Sequence, residues 1–310
     1  MAIIVVKDDL SVLESINQNE IIACLGEFDG MHIGHKALFD KCIEVSKKLH
    51  KKTAIISLYP HPDYVLDKRE DVGYLQTSDE RANLVSKMGM DYYIQIEFNL
   101  SLSKLNFSLF FEKYLKDFYG LVCGKDYRFG ALGLGTYKYL EENAHNLYLV
   151  DTVFESGKKI SSNDIRALLS NGDVLKANKL LIEKYSFDGW VVRGKELGRT
   201  ISFPTANLSI NPTKFVPKFG VYISTCEVRG NTYYSLTNIG TNPTVNKDKK
   251  ELDVETHIFG FNEDIYDENI KVCLLYYYRE EIVFDNLEQL KIQILDDVCK
   301  AKELIEELKL

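Results

Sequence analysis

The stretch Cys24-Leu25-Gly26-Glu27-Phe28-Asp29-Gly30-Met31-His32-Ile33-Gly34-His35 decides the reading of this chain. Just before it, Ile21-Ile22-Ala23 is a short apolar run with the look of a buried strand. Just after it, Leu38, Cys42, Val45 and Leu49 recur at helical spacing. The motif therefore sits on a strand-to-helix turn. Its glycines let the backbone turn tightly and approach a ligand closely, and the helix start offers free N–H groups to a phosphate. Two histidines three residues apart on such a turn point to chemistry at a nucleotide phosphate. A bland alternative packs one histidine and exposes the other, but the surrounding Gly26, Asp29, Gly30 and Gly34 favour the functional reading. A metal site is disfavoured, because no nearby cysteine or third histidine completes a shell.

Outward from the turn, the first half alternates strand and helix signals. Thr53 to Leu58 reads as a buried strand that the prolines at 60 and 62 end. Ser78 reads as the N-cap of a helix that stops at Gly89. Tyr92 to Phe98 reads as a strand, Phe107 to Phe118 as an aromatic amphipathic helix, and Leu121 to Cys123 as another strand. A glycine-rich loop through Gly135 and a strand from Tyr148 to Phe154 follow. This rhythm implies an α/β fold with a doubly wound parallel sheet, in which ligands bind at the carboxyl ends of strands. Two helices, Asn163 to Ser170 and Asp173 to Lys184, lead out of it. From Ser186 to Tyr278, short β-branched and aromatic runs split by Gly, Asn and Pro suit a small antiparallel β-barrel. A long amphipathic C-terminal helix from Asn286 to Leu310 is expected to plug or flank that barrel. These signals divide the chain into domains at 1–184 and 185–310.

Composition excludes some classes. At 310 residues, 45% hydrophobic and 27% charged, the chain is that of a globular protein with room for two cores. No apolar run is long enough to cross a bilayer, so no membrane partner is expected. The N-terminus lacks an export signal pattern, and six cysteines are scattered without a C-x-x-C pair, so a cytoplasmic location is expected. A net charge of −8 opposes nonspecific nucleic-acid binding. An oligomer is possible but not readable.

Four further clusters can carry chemistry. Lys158-Lys159-Ile160-Ser161-Ser162-Asn163-Asp164-Ile165-Arg166 puts hydroxyls at a helix start, where they serve either as N-caps or as a phosphate clamp with the nearby cations. Gly124-Lys125-Asp126-Tyr127-Arg128-Phe129-Gly130 is a loop after a strand. It is not a P-loop, since Asp126 stands where Ser or Thr would hold magnesium. Gly198-Arg199-Thr200-Ile201-Ser202-Phe203-Pro204-Thr205-Ala206-Asn207 is polar and punctuated. The oxygens of Thr205 and Asn207, two apart on extended backbone, suit a magnesium–phosphate complex. Asp253, Glu255 and His257 share one face of a strand, and Glu255 beside a phosphate site can act as a general base.

Taken in order, these motifs, with Asn238-Ile239-Gly240 and Pro243-Thr244, closely resemble the bacterial bifunctional riboflavin kinase/FMN adenylyltransferase family, or FAD synthetases. The resemblance covers nearly the entire chain. It implies an HxGH nucleotidyltransferase domain that joins AMP from ATP to FMN and releases pyrophosphate, followed by a riboflavin kinase barrel. On it, Gly26, Phe28, Asp29, Gly30 and Gly34 form the ATP-binding turn, with His32 and His35 on the α/β-phosphates. Ser161, Ser162 and Arg166 hold the triphosphate, and Asp126, Phe129 and Gly130 lie by the flavin. In the barrel, Gly198 and Arg199 contact ATP, Thr205 and Asn207 hold Mg2+, and Glu255 takes the proton of the ribityl 5′-hydroxyl. The implied partners are the small molecules ATP, riboflavin and FMN. Two alternatives stay open: an adenylyltransferase whose barrel only holds flavin, and a flavin sensor without turnover.

Overall fold

The computed structural model describes residues 1–7, 10–66, 73–155, 157–194, 203–243 and 250–310. Gly198, Arg199, Ser202 and Thr244 lie outside the described residues. The chain forms two compact units, Met1–Ser162 and Asn163–Leu310.

The first unit runs through β1 (Ala2–Val6), β2 (Ile21–Leu25), β3 (Lys52–Tyr59), β4 (Tyr92–Glu97), β5 (Gly120–Gly124), the short β6 (Arg128–Phe129) and β7 (Gly135–Thr136), β8 (Leu147–Val150), and the short β9 (Phe154–Glu155) and β10 (Lys158–Lys159). Six of these make one parallel sheet in the order β1-β4-β3-β2-β5-β8. Every residue of β2 is buried, as the unbroken apolar run requires of a strand covered on both faces. Helix Ile33–Leu49 packs over this strand with Phe39, Cys42 and Val45 inward. The strand order reverses between β2 and β5, since β3 and β4 lie on one side of β2 and β5 on the other. A crevice opens at the carboxyl ends of such neighbouring strands. The turn after β2 and the glycine-rich loop after β5 both sit there.

Some boundaries differ from the sequence expectation. The helix at 78 is Ser78–Lys87, and its N-cap is Thr77, not Ser78. The Thr77 hydroxyl accepts from Glu80 N–H, and the Glu80 carboxylate accepts from Thr77 N–H. The aromatic helix ends at Tyr114, and the second linker helix covers only Val174–Leu180. That helix ends early because Asn178, near its end, is used elsewhere: its amide donates to Leu274 O at 2.8 Å and accepts from Tyr185 N–H at 2.8 Å. Lys218 N–H also donates to Leu169 O at 3.0 Å, so helices Ser162–Ser170 and Val174–Leu180 are tied to the elements that follow them.

The second unit closes β11 (Ser186–Val192), β12 (Ala206–Ile210), β13 (Gly220–Val228), β14 (Asn231–Pro243), β15 (Lys250–Ile258) and β16 (Asn269–Arg279) into an antiparallel barrel, in the order β11-β12-β15-β14-β13-β16. Buried Ser224, Ser235, Thr237 and Thr256 satisfy one another's hydroxyls across three neighbouring strands at 2.7–3.0 Å. The C-terminal helix Leu287–Leu308, capped by Asn286, flanks the barrel. Its Ala301 and Ile305 pack on Val221, Ile223, Leu236 and Leu275, the face opposite Ser224 and Thr237. Arg279 Nε donates to both oxygens of Asp297 at 3.1 Å, and Asp297 is only 2% exposed. Removing one partner strands the other charge. Asp297→Ala is therefore expected to destabilise the second unit by about 3 kcal/mol in chemical denaturation, and a change below about 0.5 kcal/mol would show that the pair does not anchor the helix.

Candidate active sites

The turn after β2 is held by steric fits that leave little choice of residue. Phe28 has φ 49° and folds its ring back over the chain, so a Cβ at Gly26 would lie 2.6 Å from that ring. Gly30 has φ +58°, and a Cβ there would meet Leu75 Cδ1 at 2.4 Å. Asp29 is buried, and its carboxylate accepts from Leu75 N–H at 3.4 Å and Gln76 N–H at 3.2 Å. The structure thus places Asp29 as a strut between the turn and the chain at 75–76. Phe28 is fully buried and packs edge-on against His35 at 5.2 Å.

The two histidines cap the helix reciprocally. His35 N–H donates to His32 Nδ1 at 3.2 Å, and His32 N–H donates to His35 Nδ1 at 3.4 Å. The rings stack at 3.7 Å with 13° between planes. Because each Nδ1 accepts from backbone, the neutral ring must carry its proton on Nε2. Burial, followed by the charge of Lys159, lowers the His32 pKa to about 4. Burial, His32 and Lys159 hold His35 well below the usual imidazole range. At neutral pH the turn therefore presents two neutral Nε2–H donors. The fixed positive charge comes from Lys159, whose Nζ also pairs with Asp126.

A single cleft of about 590 Å³ gathers most of the first unit's expected site residues. Gly26, Phe28, His32, Gly34 and His35 line it from the turn; Asp126, Phe129 and Gly130 from the loop after β5; Lys159, Ser161 and Ser162 from the end of the unit. The Ser162 hydroxyl donates to Asp29 O at 2.7 Å, so the helix start and the turn are directly joined. Gly130 has φ +70°, and a Cβ there would meet Phe107 backbone at 2.4 Å, which brings the loop down onto its neighbour. Leu58, Pro62, Leu66, Phe98 and Phe110 give the same cleft an apolar arm suited to a flat ring system. Asp29 and Gly30 support the cleft from behind. Arg166 belongs to the second unit, where its side chain is buried and Nη1 donates to Asn163 Oδ1 at 3.4 Å.

In the second unit the register assembles what the sequence lists apart. Glu255 is paired with Asn207 of β12 on one side and with Asn238 of β14 on the other, which puts the three side chains in one cross-strand row. Asn238 Nδ2 also donates to Glu281 Oε1 at 3.2 Å, and a Cβ at Gly240 would collide with that carboxylate. Thr205 lines a hollow of about 250 Å³ together with Pro204, Thr256, Ile265 and Tyr266. His257 holds the approach to Thr205, with Nδ1 2.9 Å from Pro204 O and its ring against Phe203. Burial lowers its pKa, and the Pro204 carbonyl opposes that shift. Asn238 and Glu281 escaped the choice of site residues because only strand pairing brings them to Glu255. Among the described residues, no three His, Cys, Asp or Glu side chains cluster as metal ligands. The row instead offers hydroxyl, amide and carboxylate oxygens. Such a donor set fits a hard cation that keeps its waters and substrate phosphates.

Comparison with known proteins matches these two units to two family models, FAD synthetase over residues 14–164 and riboflavin kinase over residues 181–305. A bifunctional riboflavin kinase/FMN adenylyltransferase of Listeria monocytogenes is 34% identical over 285 residues, covering 90% of each chain. Enzymes of the same description from Bacillus subtilis and Escherichia coli are 32% and 31% identical, covering 92% of each chain, and 94% of this chain with 95% of the relative. A crystal structure of a Streptococcus pneumoniae protein, described as a macrolide-efflux protein, is 28% identical. It superposes with a TM-score of 0.82 over 97% of this chain and 98% of its own. Among the described residues, no helix is long and apolar enough to cross a membrane.

Proposed function

The chain belongs to the bifunctional riboflavin kinase/FMN adenylyltransferase family, and from that premise we propose how its residues divide the two reactions. The chain phosphorylates riboflavin to FMN with ATP, and adenylylates FMN to FAD with release of pyrophosphate. The catalytic halves divide near residue 185, with the helices before it as a connector. The proposed partners are ATP, riboflavin and FMN, with no nucleic acid or membrane, in the cytoplasm. The absence of disulfides among six free cysteines supports that compartment.

For adenylyl transfer, the observation that carries the assignment is the reciprocal cap of His32 and His35. An oxygen of the FMN phosphate attacks the α-phosphorus of ATP, the bond to the β-phosphate oxygen breaks, and negative charge moves onto the leaving pyrophosphate. The two Nε2–H groups, the first N–H groups of helix Ile33–Leu49 and Lys159 face that charge. None of them needs to move or exchange a proton during the step. Ser161 and Ser162 close the triphosphate side, and Arg166 is a further candidate for it. Asp126, Phe129 and Gly130 border the flavin arm. Gly26 and Gly34 keep side chains out of the phosphate's way.

For phosphoryl transfer, Glu255 accepts the proton of the ribityl 5′-hydroxyl as its oxygen attacks the γ-phosphorus and ADP leaves. Thr205 and Asn207 would hold Mg2+, which neutralises phosphate charge when bound. Asn238 orients the Glu255 row from the opposite strand, and Gly198 and Arg199 are proposed ATP contacts. The test separates leaving groups with ATP labelled at each phosphate. Riboflavin should release ADP with the γ-phosphate retained in FMN, and FMN should release pyrophosphate, both ceasing when a chelator removes the divalent cation. Release of ADP from the FMN reaction would overturn the assignment of the first site.

A further inference from the structure

Glu27 stands between Gly26 and Phe28 and lines the adenylyl-transfer cleft. Its Oε2 is buried and has no hydrogen-bond partner, although the residue as a whole keeps some surface in the cleft. Its backbone is fixed: Arg81 Nη1 donates to Glu27 O at 3.4 Å, and the Arg81 guanidinium is held 5.5 Å from the Tyr59 and Tyr74 rings. A charged carboxylate in this place would face Asp63 from helix Pro62–Val65 and Asp29 from the turn, with Arg81 from helix Ser78–Lys87 in opposition. Tyr127, from the loop after β5, is its other titratable neighbour and is itself pushed far up by burial. Asp126, Arg128, Lys159, His32 and His35 line the same cleft.

We propose that Glu27 meets the phosphate monoester of FMN as a neutral hydrogen-bond donor, its carboxyl proton directed at a phosphate oxygen, and so sets the cleft's affinity for its acceptor. The proposal rests on the reading of this cleft as the adenylyl-transfer site. A buried, unpartnered carboxyl group beside a phosphate turn has two futures. Ionised, it repels the phosphate; protonated, it supplies the one donor the phosphate lacks there. Burial first, then Asp63 and Asp29 against the pull of Arg81, raises its pKa to about 8, which keeps the proton in place at neutral pH. The choice of FMN over ATP follows from position. Lys159 and Asp29 are the charges that act on the histidine pair, whereas Glu27 answers to Arg81 and Asp63, toward the apolar arm. The proton stays on Glu27 throughout, so no bond is made or broken at this residue.

The experiment measures kcat/KM for FMN and for ATP in FAD formation from about pH 7 to about pH 9, where the monoester is already a dianion. In the wild-type enzyme, kcat/KM for FMN should fall about tenfold between pH 8 and pH 9, while KM for ATP stays flat. Glu27→Gln keeps a neutral donor, so it should retain FMN affinity within about threefold at pH 7 and lose the alkaline fall. Glu27→Leu, with no donor, should raise KM for FMN about tenfold or more at pH 7. FMN formation from riboflavin, unchanged in both variants, reports that each chain is intact. A fall shared by wild type and Glu27→Gln, a fall carried by KM for ATP, or an unchanged KM for FMN in Glu27→Leu each overturns the proposal. Failure of the wild-type protein to make FAD at all would instead overturn the reading of the cleft.

Discussion

A chain carrying His32→Ala and His35→Ala is expected to lose FAD formation from FMN by at least about 10³-fold while converting riboflavin to FMN at the wild-type rate. Preorganised donors aimed at developing charge are worth about 10²–10³-fold each, and here there are two. Their preorganisation is visible in the structure. Each Nδ1 is already occupied by the other residue's backbone N–H, so each Nε2–H has a fixed direction before substrate arrives. The double substitution also removes a helix cap, at about 1 kcal/mol, which is too little to unfold a sheet buried on both faces. His32→Gln is the finer variant, because an amide restores a neutral donor without the ring stack. Measurement of both half-reactions on the same preparation decides the matter. Equal loss of both activities would contradict a separate adenylyl-transfer site in the first unit.

The mirror result is expected from Glu255→Gln: riboflavin phosphorylation falls by about 10²–10⁴-fold, and supplied FMN is still converted to FAD. Glutamine keeps the shape and the hydrogen bonding of the Asn207–Glu255–Asn238 row but cannot accept a proton from a hydroxyl. KM for ATP should change little, since the substitution leaves Thr205 and Asn207 in place. Glu281, which reaches the same row through Asn238, is the control. If Glu281→Gln rather than Glu255→Gln abolished FMN formation, the base would have to be reassigned.

The sequence carried the first site almost whole because its determinants are local. A glycine-interrupted strand-to-helix turn with two histidines can be read from adjacent residues, and the glycines are needed for reasons a single turn explains. Asp29 was grouped with the phosphate ligands, whereas its carboxylate spans to Leu75 and Gln76, a link no local pattern reveals. Glu27 passed as a filler between motif residues. Its character comes from burial beside Arg81 and Asp63, which are distant in sequence and close in the fold. In the barrel, alternation placed Glu255 on a face, but only register identified its neighbours. Thr77 took the cap expected of Ser78 because Glu80 reaches back to its N–H, a contest between adjacent hydroxyls that composition cannot decide. Strand β1 was not anticipated, since Ala2 to Val6 gains its meaning by pairing with β4.

The central claim is that one chain makes FMN and then consumes it. Its most direct measurement is a chromatographic time course of riboflavin, Mg-ATP and the purified protein. The expected result is FMN that rises first and then declines as FAD accumulates, with ADP and pyrophosphate both released. Conversion of supplied FMN to FAD without any FMN from riboflavin, or flavin binding without consumption of ATP, would contradict it.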